Sequence, residues 1–306
     1  MSRHIDFIQP FMIDEASARG RFVRLGPVID EILTKHKYPT PVCYTLAHFL
    51  VLSACIANTF KFDGIFTLQI RGNGLLDLVV ADIQSDGDMR GYAQYNETKI
   101  DELEAAFKKH KGQIGLKELF GNGQLVFTVD PGQGREMFQG IVPLEGENLD
   151  ECFKSYFQNS DQIDVDFKAV IDHVVSDDGD LMWQAGAIML QKMPAAKNQS
   201  EEEAADAWTR VAMFLKTITK EEMLNSFLPA HDLIFKLFHE DGARVYDPTP
   251  LRAQCRCSRE RFEGILNGMN ADDLNHMAED GKITANCQFC SEAYVFEREN
   301  ISALKE

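Results

Sequence analysis

Two tight pairs of cysteines lie near the C-terminus. Cys255 and Cys257 flank Arg256, Cys287 and Cys290 flank Gln288 and Phe289, and 29 residues separate the pairs. Thiolates two or three residues apart can converge on one ion from an extended segment or a tight turn. Two such pairs match a tetrahedral zinc site, which takes four sulfurs at about 2.3 Å and leaves no position for a reactive water. The same spacing admits disulfides within each pair, Cys255 to Cys257 and Cys287 to Cys290. Three roles remain open on spacing alone: a zinc clip that only staples a small domain, a redox centre, and a nucleic-acid-binding zinc module. His276 is the competing ligand between the pairs, and it is expected to face solvent from a short helix beginning at Asn270.

Charge bears on the third role. The 306-residue chain has a formal net charge of −17, and residues 244–306 alone carry 8 Lys+Arg against 11 Asp+Glu. Arg252, Arg256, Arg259 and Arg261 form a basic cluster, but Glu260 and Glu263 interrupt it. A phosphate-binding module needs a continuous positive footprint, so no nucleic-acid partner is expected. Cys43, Cys55 and Cys152 are scattered in apolar surroundings and read as buried free thiols. Asp6, Asp14 and Glu15 interrupt the N-terminus before any secretory apolar run. The apolar stretch 42–60 contains His48, Ser53 and Asn58, which fits a buried helix and no membrane partner. A cytoplasmic chain with paired cysteines favours metal or redox chemistry over structural disulfides.

The elements that must position these cysteines follow from pattern. Val28, Ile29, Ile32 and Leu33 make a helical stripe after Pro27. Thr40 and Pro41 read as N-cap and first turn of a central helix. From residue 66 the period changes to two. Strands are expected at 66–70, 76–80, 89–95, 125–129, 138–144, 165–175 and 183–193, with hairpin turns at 72–74 and at Asp130, Pro131, Gly132, Gln133 and Gly134. Helices are expected at 101–111 and 149–157. The glycine pairs Gly121/Gly123 and Gly132/Gly134 match no phosphate loop and read as turns. The stretch 194–198, from Pro194 through Lys197 and Asn198, reads as a boundary.

Beyond it, Ser200 and Glu203 form a capping box. The helix that follows carries Ala204, Ala207, Trp208, Val211, Phe214, Leu215 and Ile218. Further helices are expected at 221–228 and 232–239. The stripe should dock on the N-terminal sheet, marginally, with few other anchors. Tyr246, Asp247, Pro248 and Pro250 mark entry to the cysteine segment. Ser258 and Asn270 are expected helix caps, and 282–287 with 293–296 a small hairpin. The expected fold class is α+β. The domains are a 1–195 antiparallel-sheet core with packed helices, a 196–243 helical linker and a 244–306 four-cysteine zinc domain. So short a C-terminal segment needs a metal or disulfides to fold.

These words together resemble the redox-regulated heat-shock protein 33 chaperones of bacteria. The match is strongest from Cys255 through Arg261, at Ala278, Glu279, Asp280 and Gly281, and at Cys287 with Cys290. It extends upstream through Val245–Pro248, Phe60 to Gly64 by way of Lys61, Met89 to Gly91, Gly121 to Gly123, and Phe138 to Val142. One stretch, 97–112, is longer than in the shorter family members. The resemblance implies a cytoplasmic, ATP-independent holdase and no enzyme. Reduced, Cys255, Cys257, Cys287 and Cys290 hold one zinc and the chaperone is off. Oxidised, Cys255 pairs with Cys257 and Cys287 with Cys290, the zinc domain and linker unfold, and the protein dimerises. Unfolded client proteins are the partners, with hand-over to ATP-dependent foldases. Trp208 and Phe214 on the linker stripe are the candidate client-binding residues. The competing reading is a thiol–disulfide oxidoreductase using Cys287 and Cys290.

Overall fold

The computed structural model describes residues 4–302 apart from 60, 61, 133, 176, 177, 197 and 198. Phe60, Lys61, Gln133, Lys197 and Asn198, used above, therefore lie outside the described residues. In chain order the strands and helices are β1 (Phe7–Ile13), β2 (Ala18–Leu25), α1 (Pro27–Thr34), α2 (Thr40–Ala57), β3 (Ile65–Arg71), β4 (Leu76–Gln84) and β5 (Asp88–Tyr95). Next come α3 (Ile100–Lys109), α4 (Leu116–Phe120), β6 (Gln124–Asp130), β7 (Phe138–Pro143), α5 (Leu149–Tyr156), β8 (Val165–Val175) and β9 (Leu181–Lys192). Then follow α6 (Glu201–Thr217), α7 (Lys220–Leu224), α8 (Ala230–Phe238), β10 (Ala243–Val245), β11 (Thr249–Pro250) and β12 (Arg252–Ala253). The last elements are α9 (Arg259–Asn267), α10 (Ala271–Met277), β13 (Lys282–Asn286) and β14 (Ala293–Glu297). This is the expected α+β class. The chain forms two compact units, Met1–Ala253 and Gln254–Glu306.

Within the first unit, one sheet runs β10-β1-β2-β9-β8, with β11 also on β1, and the other runs β12-β5-β4-β3-β6-β7. All pairings are antiparallel except the short β12–β5 ladder. Strand alternation makes the first sheet apolar on both faces. Val23, Leu25, Ala185, Ala187 and Met189 join the core that contains α2. Their neighbours Phe11, Phe22, Ile188 and Leu190 join a second cluster with Val211, Leu215, Leu233, Ile234 and Phe238. The sheet is thus sandwiched between α2 and the helical segment α6–α8. α2 is long and apolar enough to suit a membrane by composition, but 83% of it is buried inside the protein, as a core helix requires. It begins one residue earlier than expected: Pro39, not Thr40, is the N-cap, and the Pro39 carbonyl accepts from the Val42 and Cys43 amides at 3.0 and 3.1 Å. The longer stretch 97–112 holds α3, whose Leu103 and Ala106 enter the core.

The helical segment is anchored far better than its sequence suggests. The Ser200–Glu203 capping box forms, and Ala204, Ala207, Val211 and Leu215 are buried. Arg24 on β2 is fully buried and donates to the carbonyls of Met223 and Leu228, both at 2.8 Å, and of His4 at 2.9 Å. Its guanidinium also lies 4.9 Å from the Phe22 ring centre. Arg210 on α6 pairs with the buried Asp241, and Lys220 pairs with Asp172 at 2.7 Å. α7 is shorter than the expected 221–228, because Thr219 caps it with Glu222 and the chain turns out at Asn225. Residues 244–253, placed by sequence with the cysteines, belong to the first unit, where β10, β11 and β12 add strands to both sheets.

Candidate metal centre

The second unit is built to hold four sulfurs. Cys255 and Cys257 lie in an extended segment that ends where the Ser258 side chain caps α9 by accepting from the Arg261 amide at 3.3 Å. Asn270 caps α10 in the same way, through the Asp273 amide at 2.8 Å. Cys287 and Cys290 sit in the turn of the β13–β14 hairpin. That turn is closed by Cys287 N to Glu292 O at 2.9 Å and Ser291 N to Cys287 O at 2.8 Å. Among the described residues, Leu266, Leu274, Ile283, Phe296 and Ile301 form a small buried apolar cluster in this unit.

The four Sγ atoms lie within 4.8 Å of one another. Cys255 is 3.6 Å from Cys287, and Cys257 is 3.5 Å from Cys290. A tetrahedron of sulfurs at about 2.3 Å from a central zinc has edges of ~3.8 Å, so this cluster fits the ion with small adjustments. None of the seven cysteines forms a disulfide. His276 is exposed, bonds the Asp272 carbonyl at 2.8 Å, and is not in the cluster.

The metal-free electrostatics are uneven. Burial opposes ionisation of Cys255, but hydrogen bonds from the Cys257 backbone and from the Cys290, Cys257 and Cys287 thiols outweigh it and bring its pKa down to about 7. Burial pushes Cys287 and Cys290 up, and the bonds they give Cys255 add to the effect. A bound dication would deprotonate all four thiols. The Tyr294 hydroxyl lies 3.3 Å from Cys257 Sγ, and its ring lies 5.0 Å from that of Phe262. Sequence reasoning missed Tyr294, although its place on β14, four residues past Cys290, was a usable signal.

Two of the expected basic residues are spent locally. The Arg259 guanidinium lies 4.4 Å from the Phe296 ring centre and donates to the Val295 carbonyl at 2.8 Å. Arg261 donates to the Arg256 carbonyl at 3.0 Å. Trp208 and Phe214, the candidate client residues, are half-buried on α6 and pack against the second apolar cluster of the first unit.

The sequence profile described as Hsp33 protein matches residues 6–297. The chain is 34% identical over 290 residues to the 33 kDa chaperonin of Caulobacter vibrioides, covering 94% of each. It is 35% identical over 302 residues to the 33 kDa chaperonin of Pseudomonas syringae pv. tomato, covering 98% of this chain and 93% of that one. The crystal structure of the 33 kDa chaperonin from Thermotoga maritima shares the fold, with a TM-score of 0.77, 24% identity and 97% of each chain covered. The chain belongs to the Hsp33 family and is a chaperone.

Proposed function

We propose that this chaperone is a redox-regulated, ATP-independent holdase of the cytoplasm, with Cys255, Cys257, Cys287 and Cys290 as both zinc ligands and switch. The observation that carries this reading is the convergence of four Sγ atoms within 4.8 Å in a unit with so small a buried core. When bound, zinc would supply the cross-link that such a core cannot replace. A thiolate of the cluster attacks a peroxide oxygen, giving a sulfenic acid and releasing hydroxide. The neighbouring thiolate then displaces the sulfenic oxygen as hydroxide and closes the disulfide, so two electrons pass from two sulfurs to one peroxide. Pairing within Cys255/Cys257 and within Cys287/Cys290 removes all four ligands. The unit then loses its cross-link, the helical segment 196–243 loosens, and unfolded proteins are held, by a dimer that later hands them to ATP-dependent foldases.

An oxidoreductase role for Cys287 and Cys290 is not favoured, since such chemistry needs a depressed pKa and both thiols are pushed up. The test is zinc stoichiometry with disulfide mapping. One zinc per chain, lost in Cys290→Ser and kept in His276→Ala, supports the assignment. The opposite pattern sinks it.

A further inference from the structure

The second sheet ends at β7, and among the described residues nothing pairs with its outer side. Every second residue of an edge strand turns its N–H and C=O away from its neighbour, so β7 presents a row of unpaired backbone groups. Proteins commonly guard such edges with charge. One outer strand of the first sheet, β8, carries charge along most of its length: Asp166 meets Lys154 at 3.5 Å and Asp172 meets Lys220 at 2.7 Å, before its exposed end at Val174 and Val175. By contrast β7 reads Phe138, Gln139, Gly140, Ile141, Val142, Pro143, with no charge at all. Phe138 is 60% exposed, Ile141 57%, and Met137 just before them 66%. The Phe138 ring rests beside Phe127, 5.6 Å between centres, and alternation puts Ile141 on the opposite face. The edge is therefore apolar above and below its free backbone groups.

We propose that β7 accepts an extended segment of an unfolded polypeptide as an added antiparallel or parallel strand. This deepens the chaperone reading, on which it rests, by naming a surface other than Trp208 and Phe214. Backbone pairing recognises any extended chain, which suits clients that share no sequence. Apolar side chains at alternate client positions cover Phe138 and Ile141. The flanks of the strand, 135–137 and 144–147, carry three glutamates against one arginine, so they favour segments bracketed by lysine or arginine. The same charges disfavour a second copy of this chain. The antiparallel register that pairs all six residues of β7 with those of another copy sets Glu136 opposite Glu145 of that copy, twice, between chains of net charge −17.

The test is amide hydrogen exchange of the full chain, zinc-loaded and peroxide-treated, with and without a reduced, carboxymethylated polypeptide that cannot refold. The expected result is slowed exchange within 138–142 in whichever redox form binds the polypeptide, and none with the native, unmodified protein from which that polypeptide is made. Ile141→Lys, at an exposed position, should weaken binding about tenfold, equivalent to ~1.4 kcal/mol. Polypeptide bound with β7 exchange unchanged overturns the proposal and leaves the chaperone reading intact. Protection that grows with protein concentration alone overturns it in favour of a second copy. Equal binding by both redox forms, with β7 protected, upholds it while removing the redox switch. A chain that binds the polypeptide in neither form overturns both.

Discussion

The Tyr294 hydroxyl stands 3.3 Å from Cys257 Sγ, and Tyr294 is held there by its ring contact with Phe262. A hydroxyl donating to a thiolate withdraws electron density from the sulfur that an oxidant must reach. Tyr294→Phe keeps the ring contact and removes only the donor. A net hydrogen bond of about 1 kcal/mol corresponds to roughly a fivefold rate change. Peroxide-driven zinc release, followed with a coloured chelator, should therefore be about fivefold faster in Tyr294→Phe, with Cys257 oxidised earlier. An unchanged rate would reduce Tyr294 to a packing residue.

Arg24 links β2 to the helical segment through backbone carbonyls alone. Arg24→Met keeps much of the length but leaves the Met223 and Leu228 carbonyls without their donor. Each buried unsatisfied group costs about 1–3 kcal/mol, so a loss of about 3 kcal/mol is expected in urea unfolding of the zinc-loaded protein. Proteolysis within 200–239 should rise in parallel. A variant of unchanged urea midpoint and unchanged cleavage would show that other contacts hold the segment.

Leu215 is fully buried on the inner face of α6, whereas Trp208 and Phe214 on the same helix are only half-buried. Leu215→Ala should cost about 2–5 kcal/mol of docking. It should release client-holding activity without oxidant more than Trp208→Ser does, zinc still bound. Chaperone activity still fully oxidant-dependent in a Leu215→Ala protein with a protease-sensitive α6 would remove the helical segment as the gate.

The three remaining cysteines should be bystanders. Burial pushes Cys43 and Cys55 up to about 12 and Cys152 up to about 11. Because their folded pKa values lie above that of an exposed thiol, they stay protonated at pH 8, and their contribution to stability fades only as pH rises from about 9 toward 11–12. At pH 8 a chelator removes the cross-link of the second unit and exposes its four thiols, so an alkylating agent should label those four and spare the three buried in the first unit. Cys152→Ser should switch normally. Rapid labelling of Cys152 would place it in the redox chemistry.

Much of this arrangement was legible in the chain. Cys255, Cys257, Cys287 and Cys290 could be grouped by spacing because short chelating pairs constrain geometry locally. Ser200, Ser258 and Asn270 were legible for the same reason, since a cap is a bond within three residues. What escaped depends on partners far apart in sequence. Arg24 reaches carbonyls about 200 positions away, and its type alone signals a surface residue. Residues 244–253 read as the start of the cysteine domain because three- and two-residue strands have no period to detect. The exposure of Ile141 escaped because alternation cannot distinguish a strand with two neighbours from one at an edge.

The central claim is that sulfur oxidation at the four-thiol centre turns client holding on. It is tested most directly by titrating zinc-loaded protein with peroxide while measuring released zinc and suppression of aggregation of an unfolding client on the same samples. The expected result is no suppression before oxidation and suppression that rises in step with zinc release, both reversed by thiol reductant plus zinc. Full suppression by the reduced, zinc-loaded protein, or complete zinc release with no gain in suppression, would contradict it.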